Sequence, residues 1–201
     1  MGLFANDPFH LGGAIDSEGA EKAARFLQLC DAFGVPVLSL CDTPGFMVGP
    51  QSETTAAIRR GSRLFVTAAS LTVPLFVVVL RKGYGLGAQA MSGGDFSAPA
   101  LMIAWPTAEF GPMGLEGAVR LGYRKELEAQ TDPVERQALF EKLVGGMYQR
   151  GKAISVAEVV EIDAVIDPAE TRSWLVEGLK SCHPAKPVGG WKQRRPFVDV
   201  W

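Results

Sequence analysis

The chain has 201 residues, of which 47% are hydrophobic and 21% are charged, and its formal net charge is −2. This length suits one domain with a substantial core or two small domains, and the composition is that of an ordinary globular protein. The charge gives no electrostatic reason to expect nucleic-acid binding. Three scattered cysteines without C-x-x-C spacing support neither a disulfide framework nor a zinc ribbon.

The sequence shows no pattern that predicts a membrane span or a signal peptide. The longest apolar run, which ends at Leu80, is far shorter than a membrane span, and residues 1–30 lack the pattern of a signal peptide. We therefore expect a protein of the cytoplasm, or of another reducing compartment, that does not contact a membrane.

The first part of the chain predicts an alternation of helices and strands. Asp16 or Ser17 can cap a helix whose apolar residues follow the 3.6-residue period, and residues 37–41 form a short apolar strand. Residues 53–71 predict one continuous helix, with Ile58 on the stripe that faces the core.

Residues 73–91 contain the strongest local pattern. Residues 73–80 form an unbroken, β-branched apolar run that is typical of a strand buried on both faces, and Arg81 and Lys82 are predicted to end it. A helix can begin at Ala88. The intervening residues include three glycines, at Gly83, Gly85 and Gly87. A strand, a glycine turn and a helix N-terminus together present free N–H groups to a ligand, so we predict that the backbone of residues 85–88 holds negative charge.

Two other interpretations of the glycine turn stay open. The glycines can simply tighten a structural turn. Residues 83–88 also fit the dinucleotide-binding pattern G-x-G-x-x-G/A loosely, although that pattern expects an acidic residue roughly 20 residues later and an apolar run, residues 101–105, stands there.

The second part of the chain repeats the combination of strand, glycines and helix. A strand is predicted over residues 101–105, and a helix over residues 115–121. Gly111 and Gly114 bracket the turn between them and form a possible second backbone anion site.

The remaining elements are a helix that begins at the Asp132 capping box, a short helix over residues 155–162, a strand over residues 164–166 and a final helix over residues 168–181. The helix from Asp132 has two adjacent apolar columns within residues 139–148, which predicts packing on two partners or on another subunit. The whole pattern predicts a single α/β domain over residues 1–201 with mainly parallel strands. We expect the aromatic tail, residues 183–201, to pack on a neighbour.

The side chains that could perform chemistry are few. The chain has only two histidines, both in irregular terminal stretches, so an interior Ser-His-Asp or Cys-His site is not expected. Asp42 and Glu109 each follow a predicted strand and could act as a base, although such residues more often tie down their loops. Arg81 and Lys82 could hold an anion or cap carbonyl groups. Oxyanion stabilisation by backbone N–H groups is worth on the order of 10²–10³ in rate per donor, and it suits a thioester enolate or a ureido oxygen.

Three motifs that occur in order, at residues 42–46, 81–85 and 104–109, resemble the carboxyltransferase subunit of biotin-dependent acyl-CoA carboxylases, of the acetyl-/propionyl-CoA carboxylase beta type. The resemblance runs over nearly the whole chain from Leu3 and covers one half of such a subunit, the C-terminal half. It implies a crotonase-like (ClpP/crotonase) α/β superhelix in a single domain.

The resemblance also implies an activity and its partners. The chain would be part of an enzyme that moves a carboxyl group from carboxybiotin to the α-carbon of an acyl-CoA, and this half alone would be inactive. The implied cofactor is biotin on a carrier protein, the substrate is a CoA thioester, and no metal is implied. The implied partners are the N-terminal carboxyltransferase half, a biotin carboxyl carrier or biotin carboxylase subunit, and further copies of the chain in a homo-oligomer.

Site residues are implied position by position. In this sequence the backbone of Leu86 and Gly87 would form the oxyanion hole, and Ala88 and Gln89 would line the acyl pocket. The biotin path would run beside five residues: Gly45, Phe46, Gly49, Tyr84 and Gly85. Propionyl-type enzymes read Gly-Gly-Ala-Tyr-Asp where residues 85–89 read Gly-Leu-Gly-Ala-Gln. Backbone N–H groups survive that change, whereas the walls of the pocket do not.

Two alternative functions remain open at this point. A crotonase-type acyl-CoA hydratase or isomerase would need a carboxylate base near the turn, and only Glu109 is a candidate. A non-catalytic assembly domain would suit the apolar helix at residues 139–148 and the aromatic tail.

Overall fold

Six strands form one sheet with parallel neighbours in the computed structural model, which describes residues 1–182. The strand order is β1-β2-β3-β4-β6, and β5 pairs with β3. The strands are β1 (Gly2–Ala5), β2 (Val37–Thr43), β3 (Leu75–Tyr84), β4 (Leu101–Ala104), β5 (Glu109–Gly111) and β6 (Ala164–Val165). All the named strand pairs are parallel, as the alternation of strands and helices predicts, and the α/β class is confirmed.

Nine α-helices connect and cover the strands of the described part of the chain. They are α1 (Ser17–Ala32), α2 (Pro50–Thr54), α3 (Ala57–Ala69), α4 (Gly85–Met91), α5 (Leu115–Gly122), α6 (Arg124–Ala129), α7 (Pro133–Gly151), α8 (Ala153–Glu158) and α9 (Thr171–Ser181). Short 3-10 turns lie at Leu11–Gly13 and Pro168–Glu170. The predicted packing of residues 183–201 on a neighbour lies outside the described residues.

The core lies on both faces of β3, because successive side chains of a strand point to opposite faces of the sheet. Val77 and Val79 pack with α1, α3 and α4 in the larger apolar cluster, whereas Phe76 and Val78 pack with side chains of α9 in the smaller one. All four are fully buried. The predicted burial of this strand on both faces is confirmed.

β3 is longer than the sequence predicts, and the prediction that Arg81 and Lys82 end it is wrong. The strand continues to Tyr84 because its last three residues pair with β5. β4 pairs with the first part of β3, and β5 with the last part. One consequence is that α4 begins at Gly85, directly after the strand, and not at Ala88.

The single helix predicted over residues 53–71 is also wrong. Ala56 adopts a left-handed conformation, with φ 56° and ψ 46°, and separates α2 from α3. The break changes which residues face the core, since the buried stripe of α3 consists of Gly61, Leu64 and Ala68. Ile58 is 77% exposed and does not belong to that stripe.

The two apolar columns of helix α7 are only partly buried. Gly151 is the one fully buried residue of the helix, at its C-terminal end. Leu139, Phe140, Leu143, Val144, Met147 and Tyr148 are all of intermediate exposure within residues 1–182. The predicted second partner for this helix stays a prediction.

Because of the break at Ala56, alanine substitutions at two residues of α3 should change the free energy of unfolding by different amounts. We expect Leu64→Ala to lower the free energy of unfolding by about 2–5 kcal/mol, because Leu64 is fully buried and its removal leaves a cavity. Ile58→Ala should change it by less than about 0.5 kcal/mol, because an exposed side chain loses few contacts. Urea unfolding of the chain followed by circular dichroism measures both. Equal losses of unfolding free energy in the two variants would contradict the break at Ala56 and favour one continuous helix.

Candidate active site

Three connections meet at the N-terminus of α4. They are the loop that follows β2, the turn from β3 into α4, and the loop that leads from β5 to α5. Because the strands are parallel, their carboxyl ends lie at one edge of the sheet, which is where ligands bind in open α/β proteins. The order of the strands therefore brings together segments that are far apart in the sequence.

The loop after β2 is held by its own hydrogen bonds. The Oγ1 of Thr43 donates to the carbonyl oxygen of Gly45 and accepts from the N–H of Gly45, both at 3.1 Å. Gly45 has a φ of +123°, a conformation that glycine adopts without strain. Ile15 donates its N–H to the Gly45 carbonyl at 3.0 Å, and Met47 donates to the Ile15 carbonyl at 2.8 Å. The loop is thereby fixed against the segment that precedes α1.

Gly87 is a glycine because no side chain fits there. A Cβ at Gly87 would lie 2.7 Å from both Cα and the carbonyl carbon of Gly45, and 3.1 Å from the N of Phe46. The φ of Gly87 lies outside the left-handed region, so space is the constraint at this position. The backbone of the loop after β2 and the first turn of α4 touch directly.

Gly85 meets a different requirement. Its φ is +57°, and a Cβ on it would lie 2.6 Å from the carbonyl oxygen of Pro112. The left-handed conformation turns the chain from β3 into α4, and the lack of a side chain lets the β5–α5 loop approach from the other side. Gly45 and Pro112 therefore hold the first turn of α4 between two loops.

The backbone groups at the start of α4 are N–H donors. Gly85, Leu86 and Gly87 are the first three residues of α4. The first N–H groups of a helix have no carbonyl partner within it, and the helix dipole adds positive potential there. The side chain of Leu86 is 64% exposed, which places this turn at the surface. The arrangement can hold a negatively charged oxygen without any charged side chain.

Asp42 is a buried carboxylate that supports the turn. It is 3% exposed, and its Oδ2 accepts hydrogen bonds from Nε and Nη2 of Arg81 at 2.9 and 2.7 Å. Its Oδ1 accepts from the N–H of Lys82 at 3.1 Å. The alternative role of Asp42 as a base is thereby disfavoured, because both oxygens bind strand β3. Arg81 is the cation that pairs with it, and the Nζ of Lys82 donates to the carbonyl of Gly12 at 2.7 Å.

Glu109 and Tyr84 form a second pair across β3 and β5. The hydroxyl of Tyr84 donates to Oε2 of Glu109 at 2.9 Å. Burial raises the pKa of Tyr84 far above its ordinary value, and the hydrogen bond to Glu109 and the Glu109 charge raise it further. The phenol therefore stays protonated and keeps donating. Sequence reasoning proposed Glu109 as a base but missed its partner, since no spacing rule joins residues 25 apart on different strands.

Cys41 lies next to this edge of the sheet but is not a nucleophile. It is fully buried in β2, and its burial, together with the adjacent Asp42 charge, raises the pKa of its thiol to about 12. A thiol in that state supplies almost no thiolate near neutral pH.

The two residues of the predicted acyl pocket, Ala88 and Gln89, have different surroundings. Ala88 is fully buried in the core. Gln89 is half-buried and lines a cavity of about 770 Å³, together with Gly85 and Gly111. Both roles remain predictions, but only Gln89 of the two has a side chain in reach of this cavity.

The remaining predicted glycines lie at helix starts or in strands. Gly49, with a φ of +115°, is the N-cap residue of α2, and Gly114 is the N-cap residue of α5. A Cβ at either position would have no heavy atom within 4 Å, so both are open to solvent or to a partner. Gly111 belongs to β5 and pairs with Tyr84. The two glycines of the predicted second anion site therefore lie in a strand and at a helix start, and that site stays a prediction.

Neither a metal centre nor a membrane segment adds to this site in the part of the chain that the structure describes. No three His, Cys, Asp or Glu side chains of residues 1–182 come together in a way that could hold a metal ion. No helix of this part is long and apolar enough to cross a membrane.

The fold defines a class, an α/β protein in which several loops meet a glycine turn where parallel strands end. A family model described as "Carboxyl transferase domain" matches residues 1–197, and the chain belongs to that family. It is 41% identical over 181 residues to the biotin-dependent acetyl-/propionyl-coenzyme A carboxylase beta6 subunit of Mycobacterium tuberculosis. That match covers 89% of this chain and 38% of the subunit.

Two solved structures support the same assignment. A single-chain, multi-domain long-chain acyl-CoA carboxylase is 60% identical with a TM-score of 0.76, over 87% of this chain and 17% of that one. The transcarboxylase 12S structure, described as a hexamer with methylmalonyl-coenzyme A bound, is 34% identical with a TM-score of 0.80, over 94% of this chain and 37% of that one. The predicted crotonase-like fold is confirmed by these neighbours. The chain spans well under half the length of each of these relatives.

The buried pair of Asp42 and Arg81 yields a stability prediction. We expect Asp42→Ala to lower the free energy of unfolding by about 1–3 kcal/mol, because it leaves the N–H of Lys82 and the guanidinium of Arg81 without their acceptor. Chemical unfolding monitored by tryptophan fluorescence measures the change.

A matched control is available in α6, where the Nε of Arg124 lies 2.8 Å from Oε1 of Glu128 and both side chains are exposed. Glu128→Ala breaks an ion pair of similar length but should leave stability nearly unchanged, since exposed pairs contribute little. Similar losses in the two variants would refute the special role of the buried carboxylate.

Proposed function

We propose that this chain is the C-terminal half of the carboxyltransferase of a biotin-dependent acyl-CoA carboxylase, which moves a carboxyl group from carboxybiotin to the α-carbon of an acyl-CoA. The observation that carries the proposal is the contact of Gly87 with the Gly45 backbone. The first family motif, residues 42–46, meets there the turn that directly follows the second motif, residues 81–85, and the third motif reaches that turn through the hydrogen bond of Tyr84 to Glu109. We further propose that residues 1–201 form one domain of a cytoplasmic enzyme.

The N–H groups of Leu86 and Gly87 would stabilise negative charge on the ureido oxygen of biotin. They are fixed before the reaction, because Gly45 and Pro112 hold the turn on both sides. Preorganised donors of this kind need no reorganisation when charge develops, and each is worth on the order of 10²–10³ in rate. No histidine is required for such a site.

The residues proposed to hold biotin offer main chain and open space beside an aromatic ring. Gly45 and Gly49 present main chain without side chains, and space is open around Gly49. The ring of Phe46 is supported by Phe65 at a centroid distance of 5.9 Å. Tyr84 is buried, so its contribution is to shape the turn at Gly85. Biotin, when a carrier protein delivers it, supplies the carboxyl group and the base for the acyl α-proton.

The hydratase or isomerase alternative is less well supported. It would need Glu109 as a free base, and Glu109 Oε2 accepts the hydrogen bond of a phenol with a strongly raised pKa. The assembly-domain alternative rests on the half-buried apolar columns of α7, which an oligomeric enzyme would use equally well.

We propose a long-chain acyl-CoA as the substrate class. Support comes from the 60% identity to a long-chain acyl-CoA carboxylase, which exceeds the 41% identity to the acetyl-/propionyl-type subunit. The proposed partners are an N-terminal carboxyltransferase half, a biotin carboxyl carrier with its biotin carboxylase, and further copies of the chain in an oligomer.

The proposed oxyanion hole is tested by Gly87→Ala. A methyl group at this position would meet the Gly45 backbone at 2.7 Å, so the turn must shift and its N–H groups lose their alignment. We expect kcat of the complete enzyme to fall by about 10²-fold, the scale of one lost oxyanion donor. Turnover is measured by carboxylation of acyl-CoA with carrier-bound biotin.

Gly122→Ala provides the control, because a Cβ at Gly122 in α5 meets no heavy atom within 4 Å and should leave kcat unchanged. Circular dichroism of both variants must show the native fold. A folded Gly87→Ala enzyme with full activity would show that the oxyanion hole lies elsewhere.

The proposed division of the site into two halves is tested with this chain alone. We expect residues 1–201 to fold and self-associate but to transfer no carboxyl group, since the CoA-binding half is absent. Adding the N-terminal half in trans should restore turnover. Carboxyl transfer by the isolated chain at ordinary enzymatic rates would contradict this division.

A further inference from the structure

We propose that Gly151, the buried residue at the C-terminal end of α7, is a positioning residue for the reaction. Through β5 it sets the place of the loop that holds the first turn of α4. This inference rests on the proposed function and deepens it, because it names a residue of another element that decides whether the turn is correctly placed.

The end of α7 lies against the backbone of β5. A Cβ at Gly151 would overlap the carbonyl oxygen of Phe110, and it would lie 3.4 Å from the carbonyl carbon and 3.6 Å from the N of the same residue. The φ of Gly151 lies outside the left-handed region, so space is the constraint here, as it is at Gly87. Because the obstacle is main chain, no rotation of a side chain can make room for a methyl group.

Two further contacts fasten the segment after Gly151 to this strand. Glu109 and Lys152 form an antiparallel bridge. The N–H of Ala153 donates to the carbonyl oxygen of Ala108, the residue before β5, at 3.0 Å. β5 also pairs with the last three residues of β3. The short strand is therefore bound both to the α7–α8 junction and to the strand that leads into the turn.

β5 transmits its position to the turn at two glycines. A Cβ at Gly83 would lie 3.1 Å from the ring of Phe110, and a Cβ at Gly85 would lie 2.6 Å from the carbonyl oxygen of Pro112, which directly follows β5. Gly83 and Phe110 are both buried. Close-packed interiors transmit such shifts, because they contain few voids that could absorb them. A displacement of β5 therefore moves the turn at Gly83 and at Gly85 together.

Helix α7 is also fixed to α5. The hydroxyl of Tyr148 donates to Oε1 of Glu116 at 2.9 Å, and the guanidinium carbon of Arg120 lies 4.6 Å from the centroid of the Phe140 ring. The helix has 19 residues, whereas β5 has three. A methyl group added at Gly151 should therefore displace the short strand more readily than the long helix.

Gly151→Ala tests the inference, and the chain offers two control variants. Gly145 lies in the same helix and is exposed, and a Cβ there would have no heavy atom within 4 Å. Gly178→Ala in α9 controls for crowding as such, because a Cβ at Gly178 would lie 2.9 Å from the ring of Phe76. That ring belongs to the smaller apolar cluster, whereas Phe110 belongs to the larger one.

A second variant releases β5 instead of pressing on it. Ala153→Pro removes the N–H that donates to Ala108. Proline suits the first position of a helix, where Ala153 lies, and the preceding Lys152 already has an extended backbone with φ −61° and ψ 143°. This variant repeats the test if Gly151→Ala does not fold.

The experiment uses the complete carboxylase that contains this chain and measures kcat and KM for propionyl- and palmitoyl-CoA with carrier-bound biotin. We expect Gly151→Ala and Ala153→Pro to lower kcat by at least about tenfold, because a misplacement of about 1 Å can cost on the order of 10²-fold in rate. KM for the acyl-CoA should stay within about twofold, since the proposed CoA-binding half is unchanged. Gly145→Ala and Gly178→Ala should keep the kcat of the unmodified enzyme, and circular dichroism reports the folding of every variant.

The outcomes distinguish the inference from the proposed function. A folded Gly151→Ala enzyme with unchanged kcat, or with a raised KM alone, would overturn the inference and leave the carboxyltransferase function standing. A loss of kcat in Gly178→Ala as large as in Gly151→Ala would also overturn it, since crowding elsewhere in the fold would then have the same effect. Failure of both Gly151→Ala and Ala153→Pro to fold would show that this junction serves the fold alone. Absence of carboxylation by the unmodified complete enzyme with every acyl-CoA would overturn the proposed function itself.

Discussion

The contact of two backbones at Gly45 and Gly87 is the constraint on which the rest of the site depends. A Cβ at Gly87 would lie 2.7 Å from the Gly45 main chain, so the first turn of α4 can take its place only without a side chain. Thr43 fixes the opposing loop through two hydrogen bonds with Gly45. Donors held this way keep their direction whether or not a ligand is bound, which is the condition for electrostatic stabilisation of a developing charge.

Strand order and two polar pairs make that contact possible. β2, β3 and β5 run parallel and end at the same edge of the sheet. Asp42 neutralises Arg81 and binds the backbone of the adjacent residue, so the strand can continue past a charged pair. Tyr84 then ties the end of β3 to Glu109 of β5. The two carboxylates considered as possible bases thus serve to hold the turn.

The sequence predicts the parts of this architecture that depend on local patterns. Unbroken apolar runs identify the centres of β2 and β3, and the three glycines predict the turn between β3 and α4. The sequence does not predict that β3 extends to Tyr84, since the extension depends on pairing with β5, 25 residues away. Nor does it predict the left-handed Ala56, which no helix propensity favours and which removes Ile58 from the core.

In a site whose donors are main-chain N–H groups, the backbone stabilises charge and the side chains are left to select the substrate. The N–H groups of Leu86 and Gly87 are present whatever side chain stands at position 86, so that residue can change without loss of the donors. In the proposed carboxyltransferase, selection among substrates would then come from side chains beside the turn. In this chain Gln89 of α4, Met147 of α7 and Val159, which directly follows α8, line one cavity beside the turn. Helices that pack around a fixed backbone turn can vary in sequence while the turn stays the same.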